Sequence, residues 1–119
     1  MDNNTYRAIA KFQIISPFKV RRVAKLIRNS EVNKALSILD NLPHRGASYL
    51  SKVIKSCLAN MKNNHNIDLD KEKISISTLL VNGGPLIKRF RPQARGRMFS
   101  ILKRTSHIEV FLKVQGRVV

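Results

Sequence analysis

Acidic residues are scarce in this chain of 119 residues. It has 7 Asp and Glu against 23 Lys and Arg, which gives a formal net charge of +16. Because self-repulsion of this size opposes the compact state, we expect a polyanionic partner that stabilises the fold as well as defining the function. Long apolar runs are also missing, and none approaches the roughly 20 residues that a membrane-spanning helix needs. A membrane-spanning protein is therefore excluded, and a nucleic acid is the expected partner, with an anionic membrane surface as the other candidate.

The residues of catalytic and metal sites are equally sparse. The single cysteine, Cys57, excludes an intrachain disulfide and a cysteine-based zinc site. Its place in an apolar helical stripe predicts an inert thiol that packs in the core. No phosphate-binding glycine loop, nucleophile elbow or metal-binding spacing is present, and a turn before a strand is expected to hold Asp68, Asp70 and Glu72. We therefore expect neither an enzyme nor a cofactor.

The length and the N-terminus bound the organisation of the chain. A chain of 119 residues with 43% hydrophobic residues and no Trp fits one domain, residues 1–119, with a small aliphatic core. Residues 1–7 have neither the apolar core of a signal peptide nor the acid-free, Arg- and Ser-rich character of a transit peptide. We expect a protein that works in the compartment where it is made.

Hydrophobic periodicity predicts a strand followed by three helices. The strand covers residues 6–15, and the helices cover residues 16–28, 31–42 and 44–64. Ser16 and Pro17 begin the first helix, with the Ser16 side chain expected to accept from amides of the first turn. The third helix has the longest apolar stripe and is expected to be the central core helix.

The first helix has one apolar and one basic face. Residues 3–30 contain seven basic residues and no acidic one, so this helix lacks the carboxylates that solvated helices use for i,i+4 support. A solvated surface is the alternative interpretation, but an unpaired stripe of this kind favours contact with phosphates. The basic face is formed by Arg21, Arg22, Lys25 and Arg28.

Two further strands, residues 74–81 and 106–114, are predicted to pair antiparallel. Eight basic residues and no acidic one lie in residues 73–108, and the most basic part, residues 83–97, is here called the basic segment. The connection of 18 residues between Val81 and Ser100 far exceeds a hairpin loop. It is expected either to project as an extended ribbon of about 30 Å or to be disordered until RNA neutralises it. Phe90, with Leu86, Ile87 and Met98 near it in the sequence, is a candidate for stacking on bases.

Three stretches resemble the L twenty-two family of bacterial-type large-subunit ribosomal proteins. Residues 16–28, SPFKVRRVAKLIR, are similar to the family's first helix, and residues 52–60, KVIKSCLAN, to its long helix. Residues 88–97, KRFRPQARGR, with residues 103–108, KRTSHI, are similar to its hairpin and returning strand. The resemblance covers nearly the whole chain.

The resemblance implies an α+β fold: three helices packed on a small three-stranded antiparallel sheet, with one long protruding basic β-hairpin at about residues 82–99. It also implies a structural constituent of the large ribosomal subunit, in a cytoplasmic or organellar ribosome, that binds rRNA during assembly. The globular part would lie near the peptide exit, with neighbouring ribosomal proteins as partners and no homo-oligomer.

Residue roles are likewise implied by the resemblance. The hairpin tip, lining the nascent-peptide tunnel, maps to Ile87, Lys88, Arg89, Phe90 and Arg91. The RNA-binding positions map to Lys19, Arg21, Arg22, Lys25, Arg28, Lys88, Arg89, Arg91, Arg95, Arg97, Lys103 and Arg104. Departures from the family pattern occur at Phe18, Asn29, Asn82–Gly83 and Gln93, and neither Phe18 nor Gln93 inherits a family role.

Two other classes of function compete with this interpretation. A free-standing DNA-binding regulator would explain the charge, but it gives no account of the long connection between paired strands. An enzyme would need an unrecognised site near His107 or residues 68–72. Preference for RNA over DNA separates the first alternative from a ribosomal protein, and a measurable turnover would be required for the second.

Overall fold

The computed structural model describes residues 5–66, 73–92, 94–96 and 98–115. Along the chain lie strand β1 (Thr5–Gln13), helices α1 (Pro17–Ile27), α2 (Val32–Asn41) and α3 (Arg45–His65), and strand β2 (Lys73–Gly83). Strand β3 (Ile87–Pro92), a 3₁₀ turn (Ala94–Gly96), β4 (Met98–Lys103) and β5 (Ser106–Gln115) follow. The three predicted helices and the first strand are confirmed. The turn predicted for Asp68, Asp70 and Glu72 lies outside the described residues.

The main sheet has the order β1-β5-β2, with both neighbours antiparallel to β5. β5 is central because it pairs with β1 along one edge and β2 along the other, and its Ile108, Val110 and Leu112 are fully buried while Lys113 is exposed. Side chains alternate between the two faces of a strand, so one face of β5 packs on the helices. The three-stranded α+β fold and the antiparallel pairing of β2 with β5 are thus confirmed.

Helix α1 begins as predicted at Pro17, the first helical position, but Ser16 does not cap it through its side chain. Pro17 has no amide hydrogen, and the amides of Lys19 and Val20 donate to the Ser16 backbone carbonyl at 3.1 and 3.4 Å. The prediction of a side-chain cap was therefore wrong. The bond from Val20 is the first ordinary bond of the helix, whereas the Lys19 amide is a donor that a capping hydroxyl would otherwise accept.

Helix α3 is the core helix, as predicted. Leu50, Ile54 and Met61 are fully buried in its stripe. Cys57 is buried there too, and burial raises the pKa of its thiol from 9.0 to about 11, while a hydrogen bond with the backbone of Leu112 acts in the opposite direction. Because the thiolate is the reactive form, this cysteine is a packing residue.

A glycine sets the distance between α3 and α1. A Cβ on Gly46 would lie 3.2 Å from the Lys19 carbonyl oxygen and 3.4 Å from the Val20 Cα. The backbones of the two helices therefore approach more closely than a larger residue would allow. This places the first turn of α3 beside the first turn of α1.

The second sheet is a hairpin formed by β3 and β4, which pair from Ile87–Lys103 to Pro92–Met98. Six residues in each arm, about 20 Å at the rise of a strand, replace the longer arms that we expected. The paired region lies a few residues further along the chain than the expected range of 82–99. Of the two alternatives left open for the basic segment, ribbon or disorder, the structure has the paired ribbon.

The tip of the hairpin is not where the resemblance put it. Residues 87–91 belong to β3, and the chain reverses after Pro92, where Arg95 adopts the left-handed conformation with φ 66°. The expectation that residues 87–91 form the tip was wrong, because β4 pairs with all of β3.

With the hairpin included, the molecule measures 72 × 26 × 19 Å. Its radius of gyration of 17.6 Å exceeds the value of about 13.5 Å expected for a compact domain of this length.

Candidate nucleic-acid interface

The basic face of α1 divides into two groups of side chains. Arg21 is half-buried and donates from Nε and Nη2 to the Val81 carbonyl oxygen at 3.1 and 2.9 Å. Arg28 donates from Nη2 to the Leu79 carbonyl oxygen at 3.4 Å. These two guanidiniums therefore join α1 to β2. The other three predicted cations, Lys19, Arg22 and Lys25, are exposed, and so is Arg28, which lies just after the last residue of α1.

Phe18 lies on the same helix and is 67% exposed. The Arg21 guanidinium carbon is 5.7 Å from the centroid of its ring, which is a cation–π distance. An exposed phenyl ring among cations is a surface on which a base can stack. Phe18 therefore presents a ring, and not a charge, on the exposed side of α1.

The hairpin carries the second group of predicted cations. Lys88 and Arg89 are exposed on β3, and Arg89 donates from Nη1 to the Lys88 carbonyl oxygen at 3.2 Å. Arg95 is exposed in the turn. Arg91 belongs to β3, and Arg97 and Gln93 lie outside the described residues.

One face of the hairpin combines charge with apolar surface. Lys88 and Phe90 are two residues apart on β3 and so share a face, and Lys88 is paired with Leu102 on β4. Phe90 is 61% exposed and Leu102 is 47% exposed. Cations beside exposed apolar side chains suit RNA, which offers phosphates and unstacked bases together.

Within the described parts of the chain, no carboxylate forms an ion pair with these cations. In the part of the chain that the structure describes, the acidic residues are Glu31, Asp40 and Glu109, and one ion pair is formed, Arg7–Glu109 at 3.3 Å. Arg7 lies on β1, away from α1 and the hairpin. The positive potential of both basic groups therefore remains available to a polyanion.

The base of the hairpin is fixed to the sheet by two buried hydroxyls. Thr105 donates from Oγ1 to the Pro85 carbonyl oxygen at 2.7 Å, and Ser106 donates from Oγ to the Ile15 carbonyl oxygen. The Gly84 amide donates to the Thr105 carbonyl oxygen at 2.9 Å. Thr105 is 2% exposed and Ser106 is fully buried, so both arms leave the sheet from a rigid base.

A groove lies beside this base and brings together cations from three parts of the chain. It is lined by Ile14, Ile15, Ser16, Lys19, Arg45, Leu102, Lys103 and Arg104, and its volume is about 390 Å³. Lys19, Lys103 and Arg104 were expected to contact RNA, whereas Arg45 was missed. Nothing in the local sequence marks Arg45, because it is the packing of Gly46 against Lys19 in the fold that places Arg45 near that lysine.

Two of the histidines contact aromatic rings. Nδ1 of His107 accepts a hydrogen bond from the Phe12 amide at 3.0 Å, and the two rings meet edge to face with centroids 4.8 Å apart. The ring of His65 contacts that of Tyr6 in a tilted arrangement, with centroids 4.8 Å apart and 57° between the ring planes. Within residues 5–66, 73–92, 94–96 and 98–115, no group of His, Cys, Asp and Glu side chains is placed to hold a metal ion. The helices of this same part include none with the length and hydropathy to cross a membrane.

Comparison with known proteins adds a family and close relatives. The family model described as Ribosomal protein L22p/L17e matches residues 8–113. The large ribosomal subunit protein uL22 of Caldicellulosiruptor saccharolyticus is 52% identical over 106 residues, which are 89% of this chain and 85% of that protein. The uL22 of Clostridioides difficile is 46% identical, covering 90% of this chain and 95% of that one. The uL22c of Thalassiosira pseudonana is 45% identical, with 94% and 96% covered.

Proposed function

Because the chain belongs to the ribosomal protein L22p/L17e family, we propose that it is a structural constituent of the large ribosomal subunit that binds and organises rRNA. It acts in translation by holding RNA in place, and its role is structural and not catalytic. Its partners are rRNA and neighbouring ribosomal proteins.

The observation that carries this proposal is the basic hairpin on a rigid base. A domain with a net charge of +16 presents Lys88, Arg89 and Arg95 on a two-stranded ribbon, and the buried Thr105 and Ser106 fix where that ribbon starts. Phosphate contacts supply most of the affinity, and the shape of the ribbon supplies the placement, because folded RNA is recognised largely through its backbone and its irregular loops.

The finer part of the proposal concerns the two ends of the molecule. The exposed cations of α1 and the groove at the hairpin base bind rRNA at the outside of the subunit, near the peptide exit. The hairpin runs inward, and its distal part lines the nascent-peptide tunnel. The turn at residues 94–96 takes the place that the resemblance gave to residues 87–91, so Arg95 is the described cation nearest the tip.

Sedimentation tests the proposal in two steps. A tagged copy of the full chain is expected to co-migrate with large subunits through a sucrose gradient in moderate salt. A variant in which a Gly-Gly turn replaces residues 87–103 removes the hairpin but keeps Thr105 and Ser106, and it is expected to accumulate in precursor particles. A full-length protein that stays at the top of the gradient, or that follows DNA, would refute the ribosomal function.

Placement in the tunnel needs its own measurement. A photo-crosslinker at Arg95 is expected to react with a stalled nascent chain in assembled ribosomes, whereas one at Lys34 on α2 is not. Cross-links from both positions, or from neither, would contradict the tunnel placement and leave the rRNA-binding function intact.

A further inference from the structure

We propose that the groove at the base of the hairpin, lined by Lys19, Arg45, Leu102, Lys103 and Arg104, holds a single unpaired nucleotide extruded from rRNA. The inference rests on the proposed rRNA-binding function and identifies the kind of RNA element that this surface takes. In this proposal, Arg45 and Leu102 also contact RNA, and the base of the nucleotide packs against the apolar wall of the groove.

The charge of the groove fits a phosphodiester. Lys19, Arg45, Lys103 and Arg104 are all exposed cations, and none of the described residues that line the groove is a carboxylate. Arg45 is oriented by Tyr49: it donates from Nη2 to the Tyr49 hydroxyl at 3.4 Å, and its guanidinium carbon is 5.9 Å from the ring centroid. Cations from α1, α3 and the end of β4 thus converge on one concave surface.

The apolar wall of the groove distinguishes an unpaired nucleotide from a duplex as the ligand. Ile14 is 52% exposed and Leu102 is 47% exposed, so the groove offers aliphatic surface beside its cations. A paired helix presents phosphates and sugars to a protein and keeps its base faces stacked inside. An extruded nucleotide presents a phosphate and an apolar base face together, and apolar side chains hold such bases.

The size and rigidity of the groove suit one small ligand. Its volume of about 390 Å³ lies at the lower end of the range for small-molecule sites. The Ile15 carbonyl is held by the buried Ser106, and Leu102 to Arg104 lead directly into the buried Thr105. Gly46 fixes the distance between the helix turns that carry Lys19 and Arg45. Walls that are already ordered reduce the entropic cost of binding.

A matched pair of RNAs tests the inference with the full-length protein. One probe is a fluorescent RNA hairpin with a single bulged uridine, and the other is the same hairpin fully paired, so the two differ little in charge. We expect the protein to prefer the bulged RNA by roughly fivefold, the effect of removing about 40 Å² of apolar surface from water on the aliphatic wall. Arg45→Ala and Leu102→Ser should each abolish that preference.

Control variants make the same changes elsewhere. Lys34→Ala on α2 removes one exposed cation, and Leu80→Ser on β2 replaces an exposed leucine, outside the groove in both cases. Both are expected to keep the preference, and thermal melts check that all four variants fold. If the wild-type protein binds neither RNA, the proposed function fails. If it binds both RNAs equally, or if the groove variants behave as the controls do, the groove inference is overturned and the proposed function stands.

The assembled subunit provides a second readout. Cys57 is buried and so is shielded from a thiol-reactive reagent. In the Arg45→Cys variant, an iron chelate is therefore expected to attach at position 45. Hydroxyl radicals from that position are expected to cleave rRNA at an unpaired nucleotide. Cleavage confined to paired strands, or no cleavage of rRNA from this position, would overturn the inference.

Discussion

The guanidinium of Arg21 on α1 forms two hydrogen bonds with the backbone carbonyl of Val81 on β2, 60 residues away in the sequence. β2 is an edge strand of the sheet, and its outer side also forms an isolated bridge between Ser75 and Glu31. Arg28 serves the Leu79 carbonyl in the same way. Arg21 and Arg28, two of the five cations predicted to bind RNA at the first helix, thus donate hydrogen bonds to backbone carbonyls of the edge strand.

Arg21→Ala is expected to destabilise the fold by about 1.5–3 kcal/mol, the range for a hydrogen bond with a charged donor. Arg22→Ala, at an exposed neighbour, should change the free energy of unfolding by less than about 0.5 kcal/mol. Urea denaturation measures both changes. Equal effects of the two substitutions would contradict the structural role of Arg21.

Gly84→Ala is expected to destabilise the base of the hairpin by about 1–3 kcal/mol. A Cβ at this position would overlap the Thr105 Oγ1 and lie 3.3 Å from the His107 Nε2, so the bond from Thr105 to Pro85 would have to shift. Gly83→Ala is the matched control, because its Cβ would meet only the Pro17 Cγ, at 3.9 Å. Thermal unfolding distinguishes the two, and a Gly84→Ala variant as stable as Gly83→Ala would refute the tight contact.

Salt dependence tests how much of the RNA affinity comes from phosphates. With about 10 phosphates engaged, the logarithm of the association constant should fall with the logarithm of salt concentration with a slope of roughly −7 to −9. Lys88→Ala should reduce the magnitude of that slope by about 1. Filter binding to large-subunit rRNA over a salt series provides the measurement, and a slope shallower than about −3 would contradict the phosphate-based mechanism.

Cys57 makes stability depend on pH in the alkaline range. Its thiol pKa is raised from 9.0 to about 11 in the folded protein, chiefly by burial. Above pH 9 the unfolded chain loses the thiol proton while the folded chain retains it, so this contribution to stability is complete below pH 9 and is lost as the pH rises through about 11. Stability should therefore fall more steeply between these pH values in the wild-type protein than in Cys57→Ala. Parallel curves for the two proteins would refute the assignment.

Helices and central strands were predictable because their signals are local. The apolar stripe of α3, the alternation in β5 and Pro17 at the start of α1 each lie within one element, and the structure confirms all three. The tip of the hairpin and the cap of α1 were mistaken because both depend on pairing. The register of β3 with β4 decides which residues form the turn. At the start of α1, the Lys19 amide donates to the Ser16 backbone carbonyl and not to the Ser16 hydroxyl.

By itself, the sequence determined the charge, the order of the elements, the inert cysteine and the family resemblance, because composition and short-range periodicity carry that information. Only the tertiary structure decided how the cations are used. Arg21 and Arg28 bond to the edge of the sheet, whereas Lys19, Arg45, Lys103 and Arg104 meet in one groove. Contacts between residues tens of positions apart depend on how helices and strands pack, and a linear pattern of charge does not specify that packing.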